Sequence, residues 1–102
     1  LAGAREVEDA ELSALALLNL AQVRVADHAL EVALAMVAEA FGHFVASENR
    51  WRQVECLCVL ADIAEEEGQP EEARAHLTRG REIAREIQAR VELEKIDARL
   101  AR

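Results

Sequence analysis

The segment Glu65-Glu66-Glu67-Gly68-Gln69-Pro70-Glu71-Glu72 is the clearest boundary between two helices in this chain. Gly68 can take the left-handed backbone conformation that ends a helix, and Pro70 suits the first turn of the helix that follows. Glu71 and Glu72 then lie where the helix dipole favours negative charge. The segment therefore predicts that one helix ends near residue 67 and that another begins at residue 70.

A shift of forty residues places similar residues on one another on both sides of this boundary. Leu20-Ala21 falls on Leu60-Ala61, which in turn falls on Leu100-Ala101. Further identical pairs are Leu17 and Leu57, Glu31 and Glu71, Ala33 and Ala73, and Ala35 and Ala75. A fixed period of this size is typical of proteins built from stacked helical repeats.

Breaks between helices are also expected at Asp27-His28-Ala29, at Ser47-Glu48-Asn49 and around Gln88-Ala89. Hydrophobic residues make up 52% of the 102 residues, aromatic residues only 3%, and there are one Pro and four Gly. That composition favours helices over a sheet with many turns. We therefore predict an all-α fold of about five helices at residues 6–27, 29–46, 50–67, 70–87 and 90–102.

The third and fourth predicted helices differ in how much of their surface is apolar. The fourth has one apolar stripe, formed by Ala73, Leu77, Gly80, Ala84 and Ile87. The third has two adjacent stripes, formed by Val54, Leu57, Ala61 and Ala64 and by Cys56, Leu60 and Ile63. Two stripes predict a helix that packs against two neighbours, as in a stack of helical hairpins.

These positions resemble the tetratricopeptide repeat family. The second unit reads Leu57, Leu60-Ala61, Ala64, Gly68, Ala73, Leu77 and Gly80, and the first reads Leu17, Leu20-Ala21, Arg24, His28, Ala33, Val37 and Ala40. The spacing of forty is similar to the longer repeats of bacterial regulatory ATPases and kinesin light chains. The resemblance implies a right-handed α-solenoid in a single domain. Its first repeat would span residues 9–46, its second 50–87, and a terminal capping helix 90–102.

The resemblance also implies that the first helix of each hairpin lines a concave face on which a partner binds. The repeat register predicts the residues of that face: Leu15, Asn19, Gln22, Glu55, Val59, Asp62, Glu66, Lys95 and Arg99. Two charged ridges are expected on this face: an acidic ridge formed by Glu55, Asp62 and Glu66 and a basic ridge formed by Lys95 and Arg99. In one interpretation the two ridges partly neutralise each other. In the other, a bound peptide places a basic residue against Glu55, Asp62 and Glu66 and an acidic end against Lys95 and Arg99.

The first helix is apolar on nearly every side, which is normal for a buried helix and unusual at the end of a repeat stack. Either an upstream repeat or a second copy of the chain would cover it. We predict a homodimer or higher oligomer with an interface at Leu12, Leu15 and Leu18.

Several other functions are not expected from this sequence. The net charge is −8 and Lys and Arg never cluster without acidic neighbours, so direct nucleic-acid binding is not expected. Leu12–Val23, the longest uncharged stretch, is too short to span a membrane. Cys56 and Cys58 point about 200° apart on a helix and cannot bridge to each other there; we interpret them as small buried residues of a cytoplasmic protein.

A metal site is the remaining chemical possibility that the residue spacing raises. Glu39 and His43 share one helix face, and Cys56, Cys58 or His76 could complete a set of ligands. The paired spacings typical of zinc sites are absent, so we expect no metal and no other cofactor. We also find no phosphate loop and no nucleophile motif, and we therefore predict that the chain is not an enzyme.

Taken together, these patterns predict a protein–protein interaction or oligomerisation module. Because the sequence starts at Leu1 rather than Met, we expect a fragment of a larger protein, and the resemblance implies that this protein is a bacterial regulatory or scaffolding protein. Two alternatives remain open: a structural homodimerising bundle without a ligand, and a small helical enzyme or metal protein.

Overall fold

The computed structural model contains five α-helices and no strand over residues 2–102, the part of the chain whose backbone is described. The helices are α1 (Ala2–Ala26), α2 (Leu30–Ala46), α3 (Arg50–Glu66), α4 (Pro70–Glu86) and α5 (Arg90–Leu100). The side chains of residue 6 and residues 8–102 are described. The predicted all-α fold with five helices is confirmed. The start of α1 lies four residues earlier than predicted, because Ala2 and Ala4 extend a helix readily.

The four turns between the helices share one backbone geometry and recur every twenty residues. The left-handed residue is Gly68 in the third turn, with φ of 73°, and His28, Glu48 and Gln88 in the others, with φ of 60°, 58° and 59°. In the third turn Gly68 N–H donates to the carbonyl of Glu65 at 3.1 Å and Gln69 N–H to that of Ala64 at 2.8 Å. This is the Schellman pattern that satisfies the last carbonyls of a helix. The same two bonds occur in all four turns.

The non-glycine turns yield a prediction about stability. A side chain costs about 1 kcal/mol in the left-handed region relative to Gly. Glu48→Gly should therefore raise the free energy of unfolding by about 1 kcal/mol, since Glu48 makes no side-chain hydrogen bond with a described residue. Gly68→Ala should lower it by a similar amount, and urea denaturation measures both. Equal stability of the two variants would contradict this account.

Helix α3 is the centre of the packing. It packs against α2 and α4 and also touches α1, as its two apolar stripes predicted. Its residues Cys56, Val59 and Ile63 belong to a core shared with α1 and α2, whereas Val54 and Leu57 belong to a second core shared with α4 and α5. Leu60 packs against both cores. Helix contacts of this kind are consistent with stacked hairpins.

The apolar stripe of α4 is buried as predicted except at its end. Ala73, Leu77, Gly80 and Ala84 are buried, whereas Ile87 follows the helix as its C-terminal cap and is exposed. A Cβ added at Gly80 would lie 3.4 Å from Cδ1 of Ile96 and 3.6 Å from Cβ of Leu57. These are ordinary van der Waals distances, so α4 packs against α3 and α5 at Gly80 with room for no more than a methyl group.

Two helices begin with residues that stabilise a helix start, and the second of these was predicted. The side chain of Asn49 accepts a hydrogen bond from the backbone N–H of Arg52 at 3.2 Å and so caps α3. Pro70 occupies the first turn of α4, followed by Glu71 and Glu72. None of the helices described here combines the length and the apolar content needed to cross a bilayer.

Candidate functional site

A groove of about 220 Å³ lies where α1, α3 and α5 come together on one side of the molecule. These are the first helices of successive hairpins, the positions from which a partner-binding face was predicted. The groove is lined by Gln22 of α1, by Val54, Glu55, Cys58, Val59 and Asp62 of α3, and by Glu92 and Lys95 of α5. Gln22, Glu55, Val59, Asp62 and Lys95 were predicted from the repeat register, and the structure brings these five together.

The sequence analysis missed three groove residues. Two of them, Glu92 and Cys58, each lie three residues from a predicted residue, Lys95 on α5 and Glu55 on α3. Each of the two therefore lies beside a predicted residue on the same helix face. The third, Val54, is fully buried beneath the groove. Extending each predicted position by three or four residues would have found Glu92 and Cys58.

Four residues that were predicted on this face do not line the groove. Leu15 is half-buried and Asn19 is exposed, and neither lines the groove. Glu66 accepts a hydrogen bond at 2.8 Å from the ring of His28, in the turn after α1. Arg99 contacts Asp62 at 2.8 Å and Glu65 at 3.1 Å. Its guanidinium is therefore already engaged by two carboxylates of the same chain.

The ion pairs show which charges of the two ridges are in contact within the chain. Arg99 of α5 neutralises Asp62 of α3, and Arg52 pairs with Glu55 at 2.5 Å within α3. The contact between Arg99 and Asp62 joins the two ridges, as the first interpretation predicts, whereas Arg52 and Glu55 belong to the same helix. Lys95 makes no ion pair with a described residue, so it is the cation that the groove leaves free.

The Asp62 carboxyl is partly buried beside the groove, and this burial changes its pKa. Burial raises the pKa of Asp62, and the neighbouring Arg99 guanidinium opposes that change. Because one partly exposed ion pair contributes under about 1 kcal/mol, the pair positions the two side chains more than it stabilises the fold.

Trp51, near the start of α3, forms a contact with the start of α5. Its ring Nε1 donates a hydrogen bond to Glu92 at 3.1 Å, and the Arg52 guanidinium lies 4.5 Å from the ring centre. The ring is half-exposed, so Trp51 both joins two repeats and offers an aromatic surface next to the groove. Exposed Trp side chains are common anchors in protein interfaces.

Neither cysteine has the character of a nucleophile. Burial raises the pKa of Cys56 to about 12 and also raises the pKa of Cys58, which forms part of the groove wall. Both thiols are free and stay protonated at neutral pH.

The histidines contact single carboxylates. His43 Nε2 lies 2.9 Å from Glu11, and the amide of Asn49 donates to the same carboxylate at 3.3 Å. Hydrogen bonds from Ser47, His43 and Asn49 lower the pKa of Glu11. Within the residues whose side chains are described, no three His, Cys, Asp or Glu side chains converge as metal ligands. Glu39 is exposed and does not join His43 in such a group.

The residues predicted for an oligomer interface are separated by the fold. Leu12 is 65% exposed and Leu15 is half-buried, whereas Leu18 is 1% exposed and belongs to the core with α2 and α3. The prediction for Leu18 was therefore wrong, because the chain buries this side chain against its own helices and leaves none of it for a second copy.

The chain was also compared with known proteins. No family model, no curated protein and no solved structure matched it.

Proposed function

We propose that the chain is a protein–protein interaction module in which stacked, tetratricopeptide-like helical hairpins hold a segment of another protein in the groove between α1, α3 and α5. The observation that carries this proposal is the convergence of five register-predicted residues on one groove. An array in which each hairpin contributes one helix to a common face is the binding architecture of helical repeat proteins.

The side chains of the groove favour a peptide segment of mixed character. Val59 and Cys58 form an apolar floor, and Lys95 offers at its edge a cation that pairs with no described residue. Glu55 and Asp62 are already paired with Arg52 and Arg99. The favoured ligand therefore places an apolar side chain over Cys58 and a carboxylate against Lys95. The one thiol in the groove wall is that of Cys58, whose pKa is raised by burial, so it gives no support to a catalytic role.

Selection from a displayed library of random peptides tests the proposal. Peptides selected on the native chain should bind the variant Gln22→Arg plus Lys95→Glu at least about ten-fold more weakly. Both side chains are exposed and neither makes a hydrogen bond or an ion pair with a described residue, so the fold should be unaffected. Fluorescence anisotropy with labelled peptides gives the dissociation constants.

A matched control variant is Thr78→Arg plus Arg85→Glu, which makes the same change in charge at exposed positions of α4. This variant should bind the peptides as the native chain does. If the selection yields no peptide, or if the two double variants bind equally well, the groove is not the binding site and the proposal is rejected.

A further inference from the structure

The outward face of α1 is apolar although it is exposed to solvent. Leu12 is 65% exposed, Val23 is 51% exposed and Leu20 is 43% exposed. Ala16 and Asn19 lie between them on the same face at helical spacing and are also exposed. A contiguous exposed apolar surface on a protein is characteristic of an interaction site.

The internal repeat indicates what this face is built to do. Forty residues after Ala16 and Val23 come Cys56 and Ile63 of α3, which are buried against the first hairpin. Eighty residues after Ala16 comes Ile96 of α5, which is buried against the second. At this position of the repeat, α3 and α5 are thus buried by neighbouring helices, whereas α1 is exposed. The face of α1 is equivalent to a helix-packing surface.

The arrangement of residues on this face favours a second copy of the same chain as its cover. No charged residue occurs from Leu12 to Val23, so two chains of net charge −8 can approach there without like charges meeting. Four of the five residues on this face are also arranged symmetrically along the helix. In an antiparallel pair centred between residues 17 and 18, Leu12 would meet Val23 of the other copy and the small Ala16 would meet Asn19.

Helix α5 does not offer a surface complementary to this face of α1. Forty residues after Val54, Leu57 and Ala61, which face α4 and α5, come Glu94, Asp97 and Ala101 on α5. A head-to-tail contact would therefore place the apolar face of α1 against carboxylates. In a two-fold symmetric pair, the apolar face of α1 in one copy is instead buried against the same face of the other copy. The assembly then closes at two copies, because both faces are used.

We infer that the chain forms a two-fold symmetric dimer by antiparallel packing of α1 against α1 of a second copy, through Leu12, Ala16, Asn19, Leu20 and Val23. The partner-binding grooves lie on another side of α1, at Gln22, so each copy keeps its groove accessible in the dimer. The dimer would then present two grooves and bind paired or multivalent partners more tightly than one copy does.

Sedimentation equilibrium of the native chain tests this inference. The expected mass is twice 11.3 kDa at micromolar concentration. Leu12→Glu plus Val23→Glu should raise the dissociation constant of the dimer at least about a hundred-fold, because each change acts twice across a two-fold interface. The control Leu34→Glu plus Val91→Glu makes the same exchanges at exposed positions of α2 and α5 and should leave the dimer intact. Circular dichroism verifies that both variants stay helical.

Two cysteine substitutions test the antiparallel geometry separately. Asn19 would meet Ala16 of the other copy, so mild oxidation of an equimolar mixture of the Asn19→Cys and Ala16→Cys variants should link the two chains through a disulfide. Ala35→Cys, exposed on α2, should not give this product when it replaces Asn19→Cys in the mixture, and neither should the native chain. A monomeric native chain, a dimer insensitive to Leu12→Glu plus Val23→Glu, or equal cross-linking at residues 19 and 35 would each overturn the inference. A monomer that still binds selected peptides in its groove would leave the proposed function standing.

Discussion

Phe44→Ala is expected to lower the free energy of unfolding by about 3–5 kcal/mol. Phe44 is 1% exposed and is the largest of the fully buried side chains. It belongs to the core in which α1, α2 and α3 meet, so its removal leaves a cavity between three helices that cannot all close in on it. Small domains are stable by only about 5–15 kcal/mol, so this change would use up a large share. Urea denaturation followed by circular dichroism measures the loss.

The neighbouring residue supplies the control. Val45 is 45% exposed, and Val45→Ala should change the free energy of unfolding by less than about 0.5 kcal/mol. Similar losses for Phe44→Ala and Val45→Ala would mean that the first core does not stabilise the fold as described.

Ile96→Ala is expected to release α5 while the other four helices stay folded. Ile96 is the buried residue of α5 and packs over Gly80 of α4. A helix of 11 residues is marginal in water without tertiary contacts. The exposed ion pair between Arg81 and Asp97 at 2.6 Å contributes under about 1 kcal/mol. It cannot replace the apolar contact, whose loss costs about 2–5 kcal/mol.

Hydrogen exchange followed residue by residue measures this local opening. Backbone amides of α5 should lose protection in Ile96→Ala, whereas those of α2 and α3 should keep it. Val91→Ala, at an exposed position of the same helix, should leave α5 protected. A uniform loss of protection over all five helices would contradict the view that Ile96 is the main apolar anchor of α5.

The groove could be predicted in part because the repeat register transfers a face from one helix to the next. Position 62 of α3 implies position 22 of α1, and both residues line the groove. The register did not predict that Arg99 would pair with Asp62 and Glu65. That pairing depends on the distance between side chains of different helices, which no spacing along one helix determines. Glu66 was misplaced for the same reason, since its partner His28 lies in a distant turn.

Local sequence alone determined the helices, their boundaries and the two apolar stripes of α3, because caps, turn residues and apolar spacing act within one or two helical turns. Only the tertiary structure decided which side of α1 is inside. The sequence of a helix that is apolar on all sides does not indicate which side faces the core. Only the packing of the neighbouring helices places Leu18 in the core and Leu12 in solvent. The same packing decided which charges of the groove are neutralised, and it left Lys95 without an ion pair among the residues whose side chains are described.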